Sequence, residues 1–278
     1  MSYDSQSIAG RSALLDAAIS LEPHLDSLVL IGAQAIYLYT GDTDVAIATS
    51  TKDSDIAVLP GRLGGSPTLD DAMALAGFEP DLRGHQGTWV NADGVPVDLL
   101  VPEGAHEFGE KKPPRGARIA PHSKIAARYV KGIEGASVDN RLMSITALEP
   151  TDDRIIQMKV AGPAALVVAK TFKICERIEE VEDGKRDRRT NKDAHDLYRL
   201  LRKVDPSETA IGFSSLLSSE IGRDPALWAL EALSKYGLRP ESQICTQAGS
   251  AEAGIGDEEE VAESTAALIA EVVELSSP

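Results

Sequence analysis

The sequence is short of cysteine, aromatics and positive charge, and each shortage closes off a class of protein. Two cysteines in 278 residues, Cys175 and Cys245, cannot build a disulfide framework or a cysteine-rich zinc site. Aromatics are 4% of the chain, so the core must be assembled mainly from Ala, Val, Ile and Leu. No stretch approaches the roughly 18 uninterrupted apolar residues of a membrane span, and the apolar run 160–169 is broken by Gly162 and Pro163. The opening MSYDSQSIAG lacks the basic-then-apolar pattern of a secretory signal. These absences predict a soluble cytoplasmic protein with no membrane partner. His24, His85, His106, His122 and His195 show no metal-ligand spacing, and no Ser/His/Asp or Cys/His motif stands out.

Lys and Arg number 28 against 44 Asp and Glu, a formal charge of −16. That balance argues against general coating of nucleic acid, which is bound through excess cations. The charge is uneven, however. Residues 110–131 hold seven Lys/Arg and one acid, and residues 170–203 hold eleven Lys/Arg and eight acids. Beyond Ser250 there are eight acids and no cation. A local polyanion site is compatible with such a chain; the alternative is a set of solvated faces. The segment from Lys111 to Lys131, with Tyr129, could meet an acceptor nucleic acid, although a lone aromatic is weak evidence for base stacking.

Hydrophobic periodicity and turn signals divide the chain. Residues 11–21 read as an amphipathic helix, 27–31 as a short strand, and 33–39 as a helix entered directly from Gly32. Residues 55–59, 87–91 and 95–101 read as strands, and 68–76 as a helix capped by Thr68. Residues 103–121 read as a loop, and 138–147 can pair with 154–159. Pro163 suits the first turn of a long helix to about residue 178. Helices follow over 190–203, 206–219 and 225–236. The polar stretch 241–257 reads as a linker, and 258–275 as an acidic helix that needs a partner or frays. The expected class is α/β, an α+β arrangement: a mixed sheet with flanking helices over residues 1–160, a helical domain over 161–240, then an acidic linker and C-terminal helix over 241–278.

The informative segment runs from Thr51 through Lys52, Asp53, Ser54 and Asp55 to Leu59. Residues two apart on a strand share a face, so Asp53 and Asp55 can project together. Asp98 is an acid inside the otherwise apolar strand 95–101, where propensity and burial disfavour it. Should it lie beside Asp55, three carboxylates converge. Two like charges at about 4 Å cost on the order of 4 kcal/mol at an effective dielectric near 20. A divalent cation removes that penalty, and Mg²⁺ takes such oxygen ligands together with substrate phosphates. Two ions roughly 3.5–4 Å apart could activate a hydroxyl and stabilise a leaving pyrophosphate. A bare D-x-D pair is weak evidence by itself. Asp42-Thr43-Asp44 is a second such pair, read as a loop with Asx turns.

Context separates the two. Upstream of Asp53, a strand passes into Gly32-Ala33-Gln34 and a helix, a turn whose backbone N–H groups can approach a phosphate. Downstream, Lys170 lies on an apolar helix, and Asp193 and Asp196 share a helix face at i,i+3. Lys170 could equally be snorkelling or salt-bridged, and Asp193 an acid of a helix's first turn. His195 reads as a helix-surface residue and Cys175 as buried packing.

Taken together, strand-Gly-x-x-Ala, T-x-D-x-D, a lone strand Asp, an apolar helix with Lys and K-D-x-x-D-L resemble the DNA polymerase β-type nucleotidyltransferases. The likeness is strongest to the AbiEii and MenT nucleotidyltransferase toxins, over roughly residues 28–203. The resemblance implies that Thr51, Asp53 and Asp55 surround the metals, that Asp98 is the third carboxylate, and that Lys170 contacts the triphosphate with Asp193 as the following acid. It implies two Mg²⁺ ions, transfer of NMP from an NTP to an acceptor hydroxyl, the tRNA 3′ end as acceptor, and an antitoxin partner. Two departures stand against it. Ala33 replaces the usual Gly or Ser, removing a hydroxyl contact, and Lys52 lies inside the motif where a basic residue usually precedes it. The alternatives are a nucleotide- or partner-binding module on the same fold, and transfer to a small-molecule or protein hydroxyl.

Overall fold

The computed structural model describes residues 3–41, 52–81, 84–105, 115–185 and 190–276. The Asp42-Thr43-Asp44 pair and Thr51 lie outside them, as do Lys111 and Lys112. The chain divides into a sheet unit, Met1–Ala35 with Ser50–Ala161, and a helical unit, Ile36–Thr49 with Gly162–Pro278.

The sheet unit is built around β1 (Leu28–Ile31), four buried residues in a row, as expected of a strand covered on both faces. β2 (Ser54–Val58) pairs antiparallel with β1, and β5 (Pro96–Pro102) pairs parallel with β2. β4 (Thr88–Val90) and β3 (Glu79–Pro80) continue outward from β5 in antiparallel fashion, and β6 (Arg128–Val130) runs parallel along the end of β5. On the other side of β1, β8 (Ile155–Ala161) is parallel and β7 (Asn140–Thr146) antiparallel to β8. The order is therefore β3-β4-β5-β2-β1-β8-β7, a mixed eight-stranded sheet with β6 also on β5. The two shortest strands besides β4, β3 and β6, were not legible as strands because two or three residues carry no period.

Helix α1 (Ser5–Ser20) covers one face. Asp4 caps it, accepting from the N–H groups of Gln6 and Ser7. Leu14, Leu15 and Ala18 are buried beneath it. The Ser54 hydroxyl donates to the Gly10 carbonyl of α1 at 3.3 Å, so Ser54 and its strand-alternates Ile56 and Val58 face α1. Asp55 and Ala57 consequently face the opposite side. Helix α3 (Leu69–Leu75) starts at Thr68, whose hydroxyl accepts from the Asp71 N–H at 3.1 Å. Its Leu69 N–H is taken by His122 Nδ1 at 3.0 Å. Helix α2 (Gly32–Thr40) leaves β1 without a connecting residue.

The helical unit contains α4 (Pro163–Glu182), α5 (Asn191–Lys203), α6 (Pro206–Leu217), α7 (Arg223–Tyr236), α8 (Gln243–Ser250) and α9 (Glu258–Ser276). Phe172 on α4 stacks on Trp228 of α7, ring centres 3.9 Å apart. The stretch expected to be a linker carries α8 instead. Ile244, Cys245 and Ala248 supply its buried stripe, and Gly249 admits the Glu258 carbonyl so closely that a Cβ would stand 2.3 Å from it. The acidic C-terminal helix finds the partner it needs: Val261, Thr265, Ile269 and Val272 are buried, and its glutamates at 259, 260 and 263 face solvent. Among the described residues no helix is long and apolar enough to cross a membrane.

One buried acid bears on stability. Glu134, in the turn Glu134–Ser137, is 7% exposed, and its Oε1 accepts from the Gly104 N–H at 3.4 Å. Its Oε2 is buried without a hydrogen-bond partner among the described residues. Burial pushes its carboxyl above the usual glutamate range despite the neighbouring backbone N–H groups. A raised native pKa favours folding where the group is protonated and loses that contribution as pH climbs through the raised value. Glu134→Gln is therefore expected to raise the melting temperature at neutral pH and to flatten its fall between mildly acidic and neutral buffer, as thermal melts across that range would show.

Candidate active site

The register of the sheet places two of the expected acids side by side. Asp55 on β2 is the direct partner of Asp98 on the parallel strand β5, so the two side chains share a face. The same row continues to Ile31 on β1 and Thr88 on β4. It is the face turned away from Ser54 and α1. Asp53 lies one residue ahead of β2 and is exposed, so strand alternation does not extend to it. Both Asp55 and Asp98 are half-buried, between apolar neighbours Ile56, Val97 and Leu99 that are fully buried.

Gly32 shapes the site. Its φ of +70° lies in the left-handed region that favours glycine, as the chain passes from β1 straight into α2. A Cβ at this position would stand 2.2 Å from Asp55 Oδ2. The glycine therefore serves two needs: the turn geometry and the room for the carboxylate. Ala33 is buried and offers no hydroxyl.

Arg128 is the neighbour of Asp98 that the sequence did not single out. From β6 its NH2 reaches Asp98 Oδ2 at 2.5 Å, and its NH1 donates to Thr88 Oγ1 at 3.2 Å and to the Gln86 carbonyl at 3.3 Å. In the sequence it was one of seven cations in a basic stretch; only the β5–β6 pairing brings it to Asp98. Asp98 Oδ1 remains buried with no hydrogen-bond partner among the described residues. A buried carboxylate oxygen without a donor is costly unless a cation or an outside donor meets it.

Among the described residues no group of three or more His, Cys, Asp or Glu side chains is set to hold a metal ion. What is present is a pair of hard oxygen donors with one oxygen unpartnered. Mg²⁺ is commonly held by one or two carboxylates, with substrate phosphates and water completing its shell, and the residues fit that requirement.

The remaining expected residues meet in the helical unit. Lys170 of α4, 5% exposed, donates to Asp193 Oδ1 at 2.9 Å and to Asp196 Oδ2 at 2.7 Å, both on α5. Arg177 holds the other oxygen of Asp193 at 2.6 Å. Burial alone would lower the Lys170 pKa, but the charges of Asp196 and Asp193 outweigh it and hold the ammonium well above the ordinary lysine range. Burial opposes ionisation of Asp193 too, and Lys170 outweighs it, so the carboxyl lies well below the usual range. Lys170 is thus salt-bridged, not snorkelling. His195, expected on the helix surface, is 1% exposed and hydrogen-bonded to Glu252 at 2.5 Å. The polar neighbours in Lys-Asp-Ala-His-Asp suggested solvent, whereas α8 covers that side of α5 and brings Glu252 behind it. Cys175 is fully buried, and burial pushes its thiol up to about 12, as befits packing.

Comparison with protein-family models, with curated proteins and with solved structures returns no match.

Two outcomes follow from this geometry. Gly32→Ala adds both a strained φ and a clash with Asp55, and is expected to cost about 1–3 kcal/mol in urea unfolding. Lys170→Met leaves two buried acids without their shared cation, and a loss of roughly 3–5 kcal/mol is expected in the same measurement.

Proposed function

We propose that the protein is a Mg²⁺-dependent nucleotidyltransferase that moves NMP from an NTP to an acceptor hydroxyl and releases pyrophosphate. The observation that carries this reading is the Asp55–Asp98 pair in register on one sheet face, with the Gly32 turn against Asp55. Asp55 and Asp98 would hold the metal, which when bound would neutralise phosphate charge and polarise the reacting oxygens; Asp53 as a third ligand rests on the family resemblance. Asp98 Oδ1 would accept the proton of the acceptor hydroxyl as its oxygen forms a bond to the α-phosphorus. The bond from that phosphorus to the bridging oxygen breaks, and pyrophosphate carries away the electron pair. The backbone N–H groups of the turn at Gly32 and Ala33 would lie under the phosphates. Phosphoryl transfer asks mainly for positioning and electrostatics, which these groups supply.

The roles of Thr51, Lys170 and Asp193 rest on the family resemblance. So do the tRNA 3′ end as acceptor, the place in a toxin–antitoxin pair and the antitoxin partner. Exposed Arg115, Arg118, Lys124 and Lys131 support a polyanionic acceptor, since no acid interrupts the sequence between the first and the last of them.

A binding module without catalysis is the second reading. It is favoured by two neutralised centres, Asp98 by Arg128 and Lys170 by Asp193 and Asp196.

Incubating the protein with each labelled NTP, Mg²⁺ and total tRNA separates them. Label transfer is expected, falling on the order of a hundredfold or more in Asp55→Ala and Asp98→Asn while nucleotide affinity changes far less. Retained Mg²⁺-dependent NTP binding with no transfer by the unmodified protein would establish the module instead. Arg118→Ala and Lys124→Ala are expected to raise the KM for a nucleic-acid acceptor and to weaken its salt dependence, leaving the KM for NTP unchanged.

A further inference from the structure

Arg11 lies on α1, on the sheet face opposite the acids, and is 4% exposed. Its Nε donates to Gln34 Oε1 at 3.2 Å and its NH1 to the Thr146 carbonyl at 2.9 Å. Both acceptors are neutral, and among the described residues no carboxylate pairs with it. Lys170, equally buried, stands between two carboxylates. A buried charge is normally compensated, because leaving water costs several kcal/mol per ion. A clamp between α1, α2 and β7 needs donors but no charge.

The position of Arg11 shows what the charge can serve. Gln34, 2% exposed, is the third residue of α2, in the turn that begins at Gly32. The preceding residue, Gly10, accepts the hydroxyl of Ser54, which sits between Asp53 and Asp55. Consecutive residues of α1 thus brace both segments that carry the site: the helix start through Gln34 and the acid-bearing strand through Ser54.

We propose that Arg11 is a positioning residue for an anionic ligand at the Gly32–Gln34 turn, fixing the first turn of α2 through Gln34 and supplying the turn with a positive charge that no described carboxylate pairs. The ligand class is the polyphosphate of a nucleotide, so the inference rests on the nucleotidyltransferase reading. Two features distinguish it from a structural brace. The charge should matter separately from the hydrogen bonds, and ligand affinity should respond in the opposite direction to stability.

The test uses the full chain and a non-hydrolysable NTP with Mg²⁺, measured by calorimetry beside thermal melts. Arg11→Gln is expected to weaken nucleotide affinity by about tenfold, the scale of one unit charge acting through protein. Arg11→Lys should retain much of the affinity. Gln34→Glu gives Arg11 a carboxylate partner in place of the amide, and is expected to raise the melting temperature while weakening nucleotide binding. It also covers the case in which Arg11→Gln does not fold. Unchanged affinity in Gln34→Glu, or in a folded Arg11→Gln, would overturn the role of Arg11 alone. Failure of the unmodified protein to bind any NTP would overturn the functional reading itself, and the proposed ligand with it.

Discussion

The absence of one methyl-sized group at residue 32 is the constraint on which the site depends. Asp55 Oδ2 occupies the volume a side chain would need there. The positive φ of Gly32 lets β1 turn into α2 with no intervening loop. Any larger residue would displace either the helix start or the carboxylate. The backbone of a helix N-terminus and the acid of a neighbouring strand are therefore held together by packing, before any ligand contributes.

Charge compensation in the two units follows one pattern with different burial. Asp98 and Arg128 are both partly accessible, in a pair that water can screen. Lys170, Asp193 and Asp196 are almost wholly enclosed, so their attraction is stronger and the cost of disrupting them greater. The acidic surplus of the chain is thereby divided. Some carboxylates are anchored inside the helical unit, while the glutamates of α9 remain in solvent where they cost little.

Much of the fold was legible because the sequence signals were long. The strand read over 55–59, the pairing of 138–147 with 154–159, the Pro163 start of α4 and the Thr68 cap each extend over several residues or name a specific hydrogen bond, and the structure shifts the strand ends by one or two residues. The failures share a cause. α8 reads as a linker because its buried stripe is short and its glycine, Gly249, signals a turn, although it is there for close contact with α9. His195 looks exposed because local polarity says nothing of what α8 brings behind it. In the candidate site, the neighbourhood of Asp55 and Asp98 was an inference from two strands; the register makes it a geometric fact. Arg128 could not be found, since its pairing depends on a three-residue strand running parallel to β5.

The clamp on Asp98 has a consequence for what the acid can grip. With Oδ2 tied to Arg128 and Oδ1 alone unpartnered, the group cannot rotate without losing its arginine. It presents a single donor atom along a fixed direction. A large, loosely coordinated ion that prefers to straddle both oxygens of a carboxylate gains little from such a group. A small ion, content with one short contact, loses nothing. Under the proposed reading, size discrimination would arise from an arginine that need never touch the ion.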